Sequence, residues 1–507
     1  MGNFPMRSLR LLIALALLGT LLAACGGSNG DDADDPSVTS APEAVATEEA
    51  TPTEEEVAAT GEETSPTEAD DPTATSEPEP TDEPEATEEE AAPTEVEEEQ
   101  VTLRLGVSMT PAELETFQLA VDSILERRPN WDIQLEQTPQ DGVVEKINTQ
   151  IASGDLPDVV QIQGLFAQPW IRQGAFVSLD DYSSDADLNV DDFYASALDQ
   201  FRWEGSLYGL PNHVAPDLVY LNLDMFEAAG VDPPSDDWKM DDLSELAREL
   251  TLDADGRNAN DPDFDISNVV QWGLSVTPNN IWTRHYLLPF GADPCGNEDC
   301  TDLEFSSPEV QEALQFWADL AQSGAAPYDP YTGNQTGIPG EGFQAGIAAI
   351  GINGFFLVGV LNSTGELNYD VVEFPTGPAG VKASPLSTNG WVIAETSENK
   401  DAAWQLIEEL TSEGILVDHW AAPGHGVPAR ESVADAVLNQ ERSPENEQAI
   451  VETLEYAEVF RPSVAGAFEV FGRTSDIFIA MMRGDVSIEE GTTEIDAIGN
   501  EVFGGDS

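Results

Sequence analysis

Val101-Thr102-Leu103-Arg104-Leu105-Gly106-Val107, then Pro111 to Arg128, Trp131-Asp132-Ile133-Gln134-Leu135, Val143 to Ile151 and Val159-Val160-Gln161-Ile162 form the stretch from which the fold is read. Val101, Leu103, Leu105 and Val107 alternate with polar or small residues, the period of a strand with one face buried. Pro111 opens a helix whose Leu114, Phe117, Val121, Ile124 and Leu125 recur at helical spacing. Trp131, Ile133 and Leu135 repeat the strand pattern, Val143, Ile147 and Ile151 the helical one, and Val159 to Ile162 reads as a buried strand. The order βαβαβ predicts a doubly wound α/β sheet, parallel at this end. In such sheets ligands bind beyond the carboxyl ends of the strands. Those ends are Ser108-Met109 and Gln163 to Phe166.

Towards the C-terminus, Ser307 is a candidate helix cap before Pro308, with Val310, Leu314, Trp317 and Leu320 on one face and Gly324 as the stop. A second helix follows Asn399, with Ala403, Ile407 and Leu410 inward. Gly, Pro and Asn are scattered between elements, so no single linker divides 101–507.

On the N-terminal side the composition changes. Arg7 and Arg10 precede an apolar run from Leu11 to Leu22, too short to span a bilayer as a helix. Leu22-Ala23-Ala24-Cys25 resembles a bacterial lipoprotein signal, which implies a signal peptide over 1–24 and a lipidated Cys25 holding the chain to the outer face of a membrane. Residues 31–100 hold 27 acidic residues and no Lys or Arg, and 26–100 has no aromatic residue. Such a stretch cannot offset chain entropy by burial, so 25–100 is read as the lipidated Cys followed by a disordered acidic tether.

The whole chain of 507 residues has 97 Asp and Glu against 19 Lys and Arg, a net charge of −78. Nucleic acid is therefore excluded as a partner class, because phosphate binding needs a basic surface. Three Cys and four His provide little material for a zinc or iron-sulfur site, and no metal or cofactor is expected. With carboxylates everywhere, a pair of them carries no information about glycoside hydrolysis.

Five segments together resemble the extracellular sugar-binding proteins of ABC importers, the family that includes maltose-binding protein. The first is Gly154-Asp155-Leu156-Pro157-Asp158-Val159-Val160, followed by Gly174-Ala175-Phe176-Val177-Ser178-Leu179-Asp180. The second is Gly205-Ser206-Leu207-Tyr208-Gly209-Leu210-Pro211 with Tyr220-Leu221-Asn222-Leu223-Asp224-Met225-Phe226, Ala229-Gly230 and Trp238. The third runs from Phe343 through Gly346 and Asn353-Gly354 to Phe356, which stands where a Trp is common. Asn389-Gly390-Trp391 with Asn399 to Trp404 is the fourth, and Gly424-His425-Gly426-Val427-Pro428 the fifth. Their shared order implies two α/β lobes of the periplasmic-binding-protein type, each discontinuous and mostly parallel. Lobe one is assigned to 101–213 with 376–427 and lobe two to 217–372 with 428–507. It also implies capture of a sugar or oligosaccharide between the lobes, delivery to an ABC permease, and a monomer with no catalytic residue.

A sugar presents CH faces and hydroxyl edges, so its site needs aromatic platforms with amides or carboxylates at the rim. Matching motif to motif proposes Gln163, Phe166, Asn212, His213, Trp282, Arg284, Asn353, Phe356 and Asn389 as contacts. Trp238, Trp317 and Trp404 stand at helical or motif positions and are assigned to core packing instead. Once Cys25 is lipidated, Cys295 and Cys300 are the remaining pair, and a disulfide is the favoured reading in an exported protein. Asp253-Ala254-Asp255-Gly256-Arg257-Asn258, with Asp261, Asp263 and Asp265, suggests a calcium loop but lacks its bidentate Glu; an acidic surface turn is the favoured reading. A polyamine, metal chelate or anion is the alternative ligand class, and an exported carbohydrate-active hydrolase the alternative function. The chain has no G-x-S-x-G, H-E-x-x-H or phosphate loop to support the latter.

Overall fold

Alternating apolar residues at Leu103, Leu105 and Val107 build β1 (Val101–Val107), and the computed structural model places its partner β2 (Trp131–Gln137) parallel to it, Val101 facing Trp131. The model describes residues 100–507 except 140–141, 185–187, 236, 276–283, 298, 327–340, 439–443, 460–465 and 505–507. Cys25 and Trp282 thus lie outside the described residues, as do the segments assigned to signal and tether.

Helix α1 (Pro111–Arg127) starts at Thr110, whose hydroxyl accepts the Glu113 N–H while the Glu113 carboxylate accepts the Thr110 N–H. This reciprocal box satisfies two amide groups at the helix start. After α2 (Val143–Ser153), Gly154 takes the left-handed backbone (φ 69°) that ends the helix, and β3 (Val159–Gln163) joins the other side of β1. Helix α3 (Gly164–Arg172) follows directly.

The centre of the sheet is antiparallel. A 14-residue strand, β4 (Gly209–Asn222), runs from one lobe into the other, followed by β5 (Leu252–Asp253), β6 (Val269–Ser275), helix α4 (Pro308–Gln322), β7 (Ala348–Gly354), helix α5 (Leu357–Thr364) and β8 (Tyr369–Val372). The chain returns through β9 (Ser384–Ile393), α6 (Lys400–Leu410), β10 (Val427–Pro428) and β11 (Ala457–Val459). The strand order is β2-β1-β3-β9-β4-β7-β6-β5, with β8 and β10 also on β4 and β11 on β9. Pairing is parallel for β1 with β2 and β3, β6 with β7, and β9 with β11, and antiparallel for β9 with β3 and β4, for β4 with β7, β8 and β10, and for β5 with β6. The sheet is therefore mixed rather than mostly parallel, because the long β4 runs antiparallel to every strand that pairs with it.

Hydrophobic burial separates into three clusters. One joins β1–β3, their helices, Trp391 to Ile393 and α6; a second gathers Trp238, Leu243, Trp317, Ile350 and Phe478; a third lies along Val214, Leu218 and Tyr220 with Phe343, Phe355 and Val427. Trp238, Trp317 and Trp404 are all core residues, 4%, 2% and 6% exposed, as their helical and motif positions imply. Ser307 holds the cap position of α4 with Pro308 after it, but its hydroxyl makes no capping bond among the described residues.

Candidate functional site

The carboxyl ends of β1 and β3 open onto a cavity of about 370 Å³, lined by Ser108, Met109, Glu113, Gly142 to Glu145, Ile147, Gln161 to Gln163, Phe166, Trp170 and Asn389. Its volume falls in the range of small-molecule sites. Three of the nine proposed contacts meet here. Gln163 ends β3 with its side chain exposed, Phe166 lies one helical turn on, and Asn389 faces Gln163 across the antiparallel β3–β9 pair.

Asn389 is placed by an irregularity. Between Asn389 and Gly390 the β9–β4 register shifts, so that Asn389 faces His213 while Gly390 faces Pro211. Such a bulge re-aims a side chain, here at the mouth of the cavity. A side chain at Gly390 would collide with the Phe201 ring and the Leu210 carbonyl, so the bulge requires glycine beside the site.

The cavity wall is part aromatic and part polar. Phe166 and Trp170 rings stand 6.2 Å apart, and the Trp170 indole N–H donates to Asn148 Oδ1 at 2.8 Å. Gln161 Oε1 accepts the Ser108 N–H at 3.3 Å, while its Nε2 is buried with no hydrogen-bond partner among the described residues. Gln161 is only 4% exposed, and a donor at that depth calls for a partner, which water or a ligand in the cavity can supply. Burial lifts the Glu113 carboxyl above its ordinary value, against the opposing effect of the Thr110 N–H that it accepts at 2.7 Å.

The other proposed contacts lie elsewhere. Asn212 and His213 are buried within β4, 0% and 4% exposed, away from the cavity wall. The His213 ring stacks on Trp420 at 4.3 Å, and Gly426 abuts it. Burial, with neighbouring His425, pushes His213 down to about 3, so the ring is neutral; its Nδ1 has no hydrogen-bond partner among the described residues. Arg284 donates through Nε and Nη2 to both oxygens of Asp293, and through Nη1 to Glu458 on β11, at 2.8–3.0 Å. All three guanidinium nitrogens are thus engaged within the protein. Asn353 and Phe356 belong to the end of β7 and the start of α5: Asn353 Oδ1 accepts the Gly354 N–H, and the Phe356 ring folds over Gly354, 38% exposed. Neither lines the cavity.

Sequence reading missed Glu113, Gln161, Trp170 and Asp217. The first had a signal, the T-x-x-E spacing of Thr110 and Glu113; the fourth is a lone acid in the apolar run Val214 to Tyr220. Asp217 faces Gly354 on β7, and burial pushes its carboxyl up to about 7. Cys295 and Cys300 are joined by a disulfide with Cα atoms 4.6 Å apart. Asp253, suggested above as a calcium ligand, is turned inward: its carboxylate accepts the N–H groups of Asp255, Arg257 and Asp265 and the Arg257 Nε. Against burial, these donors hold it down to about 2, and no cluster able to hold a metal ion occurs among the described residues.

The sequence profile of the bacterial extracellular solute-binding proteins matches residues 110–415, more than half of the chain. A Brucella abortus binding protein is 23% identical over 287 residues, 56% of this chain and 65% of its own length, just under two thirds. The lactose-binding protein of Rhizobium radiobacter is 21% identical over 306 residues, 58% of this chain and 67% of its own. Among solved structures, an ABC substrate-binding protein of Listeria monocytogenes in complex with cycloalternan superposes with a TM-score of 0.71 at 22% identity, covering 80% of this chain and 100% of that one. The two-lobed fold, the cavity beyond the strand ends and the profile match agree: the chain belongs to the bacterial extracellular solute-binding proteins.

Proposed function

We propose that this protein captures a sugar or oligosaccharide and hands it to the membrane subunits of an ABC importer without covalent chemistry. The carrying observation is the cavity at the ends of β1 and β3, where half-buried Phe166, backed by the core residue Trp170, offers aromatic surface and Gln161, Gln163 and Asn389 supply amides. A saccharide presents complementary CH faces and hydroxyls. The lactose-binding relative and the cycloalternan-bound neighbour support the same class of ligand. Asn353, Phe356, Asp217 and Trp282 are proposed as the second-lobe wall that closes over the ligand. Closure stabilised by contacts to both lobes is the form a permease would read.

The finer assignments rest on sequence. They are export by residues 1–24, lipid attachment at Cys25, a spacer up to residue 100, a monomeric state, and lobes over 101–213 with 376–427 and 217–372 with 428–507. No helix among the described residues is long and apolar enough to cross a membrane. The lipid anchor is expected to keep the chain in the membrane fraction, with Cys25→Ala releasing it.

A thermal-shift and tryptophan-fluorescence screen of mono- and oligosaccharides, polyamines and small anions tests the ligand class. A saccharide that raises the melting temperature with concentration and is recovered unchanged is expected. A shift from a polyamine or anion alone would replace the sugar reading, and turnover of the sugar would replace the binding function by hydrolysis.

A further inference from the structure

The charged side chains on the cavity wall are of one sign. Glu113 and Glu145 line it, and no Lys or Arg does so among the described residues. Lys146 lines a small adjoining cavity with Glu136 and donates to Thr138 Oγ1 at 2.8 Å. Arg284, the cation expected at the site from sequence, is held by Asp293 and Glu458.

The two glutamates differ in hold. Glu145 is exposed, where water and salt screen its charge. Glu113 is half-buried and fixed by the Thr110 N–H at the start of a 17-residue helix, so it cannot swing away from an incoming ligand. Burial lifts this carboxyl and the Thr110 N–H that it accepts opposes that lift; in its ionised form the fixed, partly desolvated group repels an anion brought beside it, and a binding site gains specificity from such repulsion as well as from attraction. On the same wall the Gln161 Nε2, buried and without a partner among the described residues, is a donor that a ligand hydroxyl can engage.

We propose that Glu113 is a specificity-determining residue that excludes acidic saccharides, so that the cavity takes neutral or amine-bearing sugars and rejects uronates and sugar phosphates. The inference rests on the reading of this cavity as a sugar site. It assigns to a residue that also caps α1 a second role in choosing the ligand.

The capping box makes the test clean, because Gln serves at the third helical position as Glu does. Glu113→Gln removes the charge and keeps the cap. Titration calorimetry on the full chain would use maltotriose and lactose as neutral probes, each with its C6-uronate and C6-amine derivatives. The expected result is that a neutral or amine-bearing probe binds at least about 30-fold more tightly than its uronate. Glu113→Gln should narrow that ratio to about threefold or less, while Glu145→Gln leaves most of it in place. Equal binding of neutral sugar and uronate by the unaltered protein would overturn the proposal. So would a ratio unmoved by Glu113→Gln, or one removed by Glu145→Gln instead. Failure of these probes and of every saccharide in the wider panel to bind a folded protein would overturn the sugar reading itself, a result distinct from binding without discrimination.

Discussion

Phe166 and Asp217 show how one side chain can be tested apart from the rest. Phe166 packs on the first-lobe core with one side and lines the cavity with the other. Phe166→Ala is expected to weaken sugar binding by about 1–3 kcal/mol, the range for truncating a central aromatic contact, measured by calorimetry. Asp217 has its carboxyl pushed up to about 7 by burial, so the folded state holds a proton that the unfolded chain has released above about pH 4. Stability from this group is present at low pH and is lost as pH rises through 7. Asp217→Asn should therefore stabilise the protein at pH 8 by about 1–2 kcal/mol, discounted for the residue's partial contact with water, and have little effect near pH 4. Chemical denaturation at the two pH values checks this, and equal effects at both would show that the carboxyl titrates normally.

At the scale of elements, the segment around the disulfide and the ion pairs of Arg284 form one connected unit. Asp293 Oδ1 accepts both the Arg284 Nε and the Cys295 N–H, and Arg284 reaches on to Glu458 of β11. Replacing Cys295 and Cys300 by Ser should cost about 2 kcal/mol, the chain-entropy value for so short a loop, seen as a lower denaturation midpoint. The α1 cap offers a second test: Thr110→Ala should cost about 1 kcal/mol of stability. It should also loosen Glu113, so discrimination against uronates falls with it. Elements of the first lobe were legible from periodicity alone. Val101–Val107, Pro111–Arg127, Val143–Ser153 and Val159–Gln163 form where alternation and helical spacing place them, because each buries one face of a regular element. Strand β4 was harder to read, since Pro211 and Pro216 interrupt it and its pairing partners lie up to more than two hundred residues away.

For the molecule as a whole, two histidines that fold in the neutral form oppose stability in acid, alongside carboxylates such as Asp253 that folding holds ionised and against Asp217, which folding holds protonated. Burial pushes both His213 and His285 down to about 3, with His425 adding to the first and Arg284 to the second. The unfolded chain binds these protons near pH 6.5 and the folded one does not. Stability from each is therefore present above 6.5 and lost as pH falls towards 3, at up to about 1.4 kcal/mol per pH unit. The difference is read by comparison: His213→Phe, which keeps an aromatic ring against Trp420, should gain stability relative to the unaltered protein as the pH of denaturation is lowered from 7 to 4. The sequence by itself determined the α/β class, the βαβαβ start, the family and the strand ends at which the cavity opens, because these follow from local periodicity and short motifs. Gln163, Phe166 and Asn389 were within reach of that reading. Only the tertiary structure decided that Asn212 and His213 are packed inside β4, that Arg284 is occupied, and that Glu113 and Gln161 face a cavity. Those outcomes depend on partners brought from far along the chain, such as Trp420 and Glu458, and on a bulge at Asn389, none of which local sequence encodes.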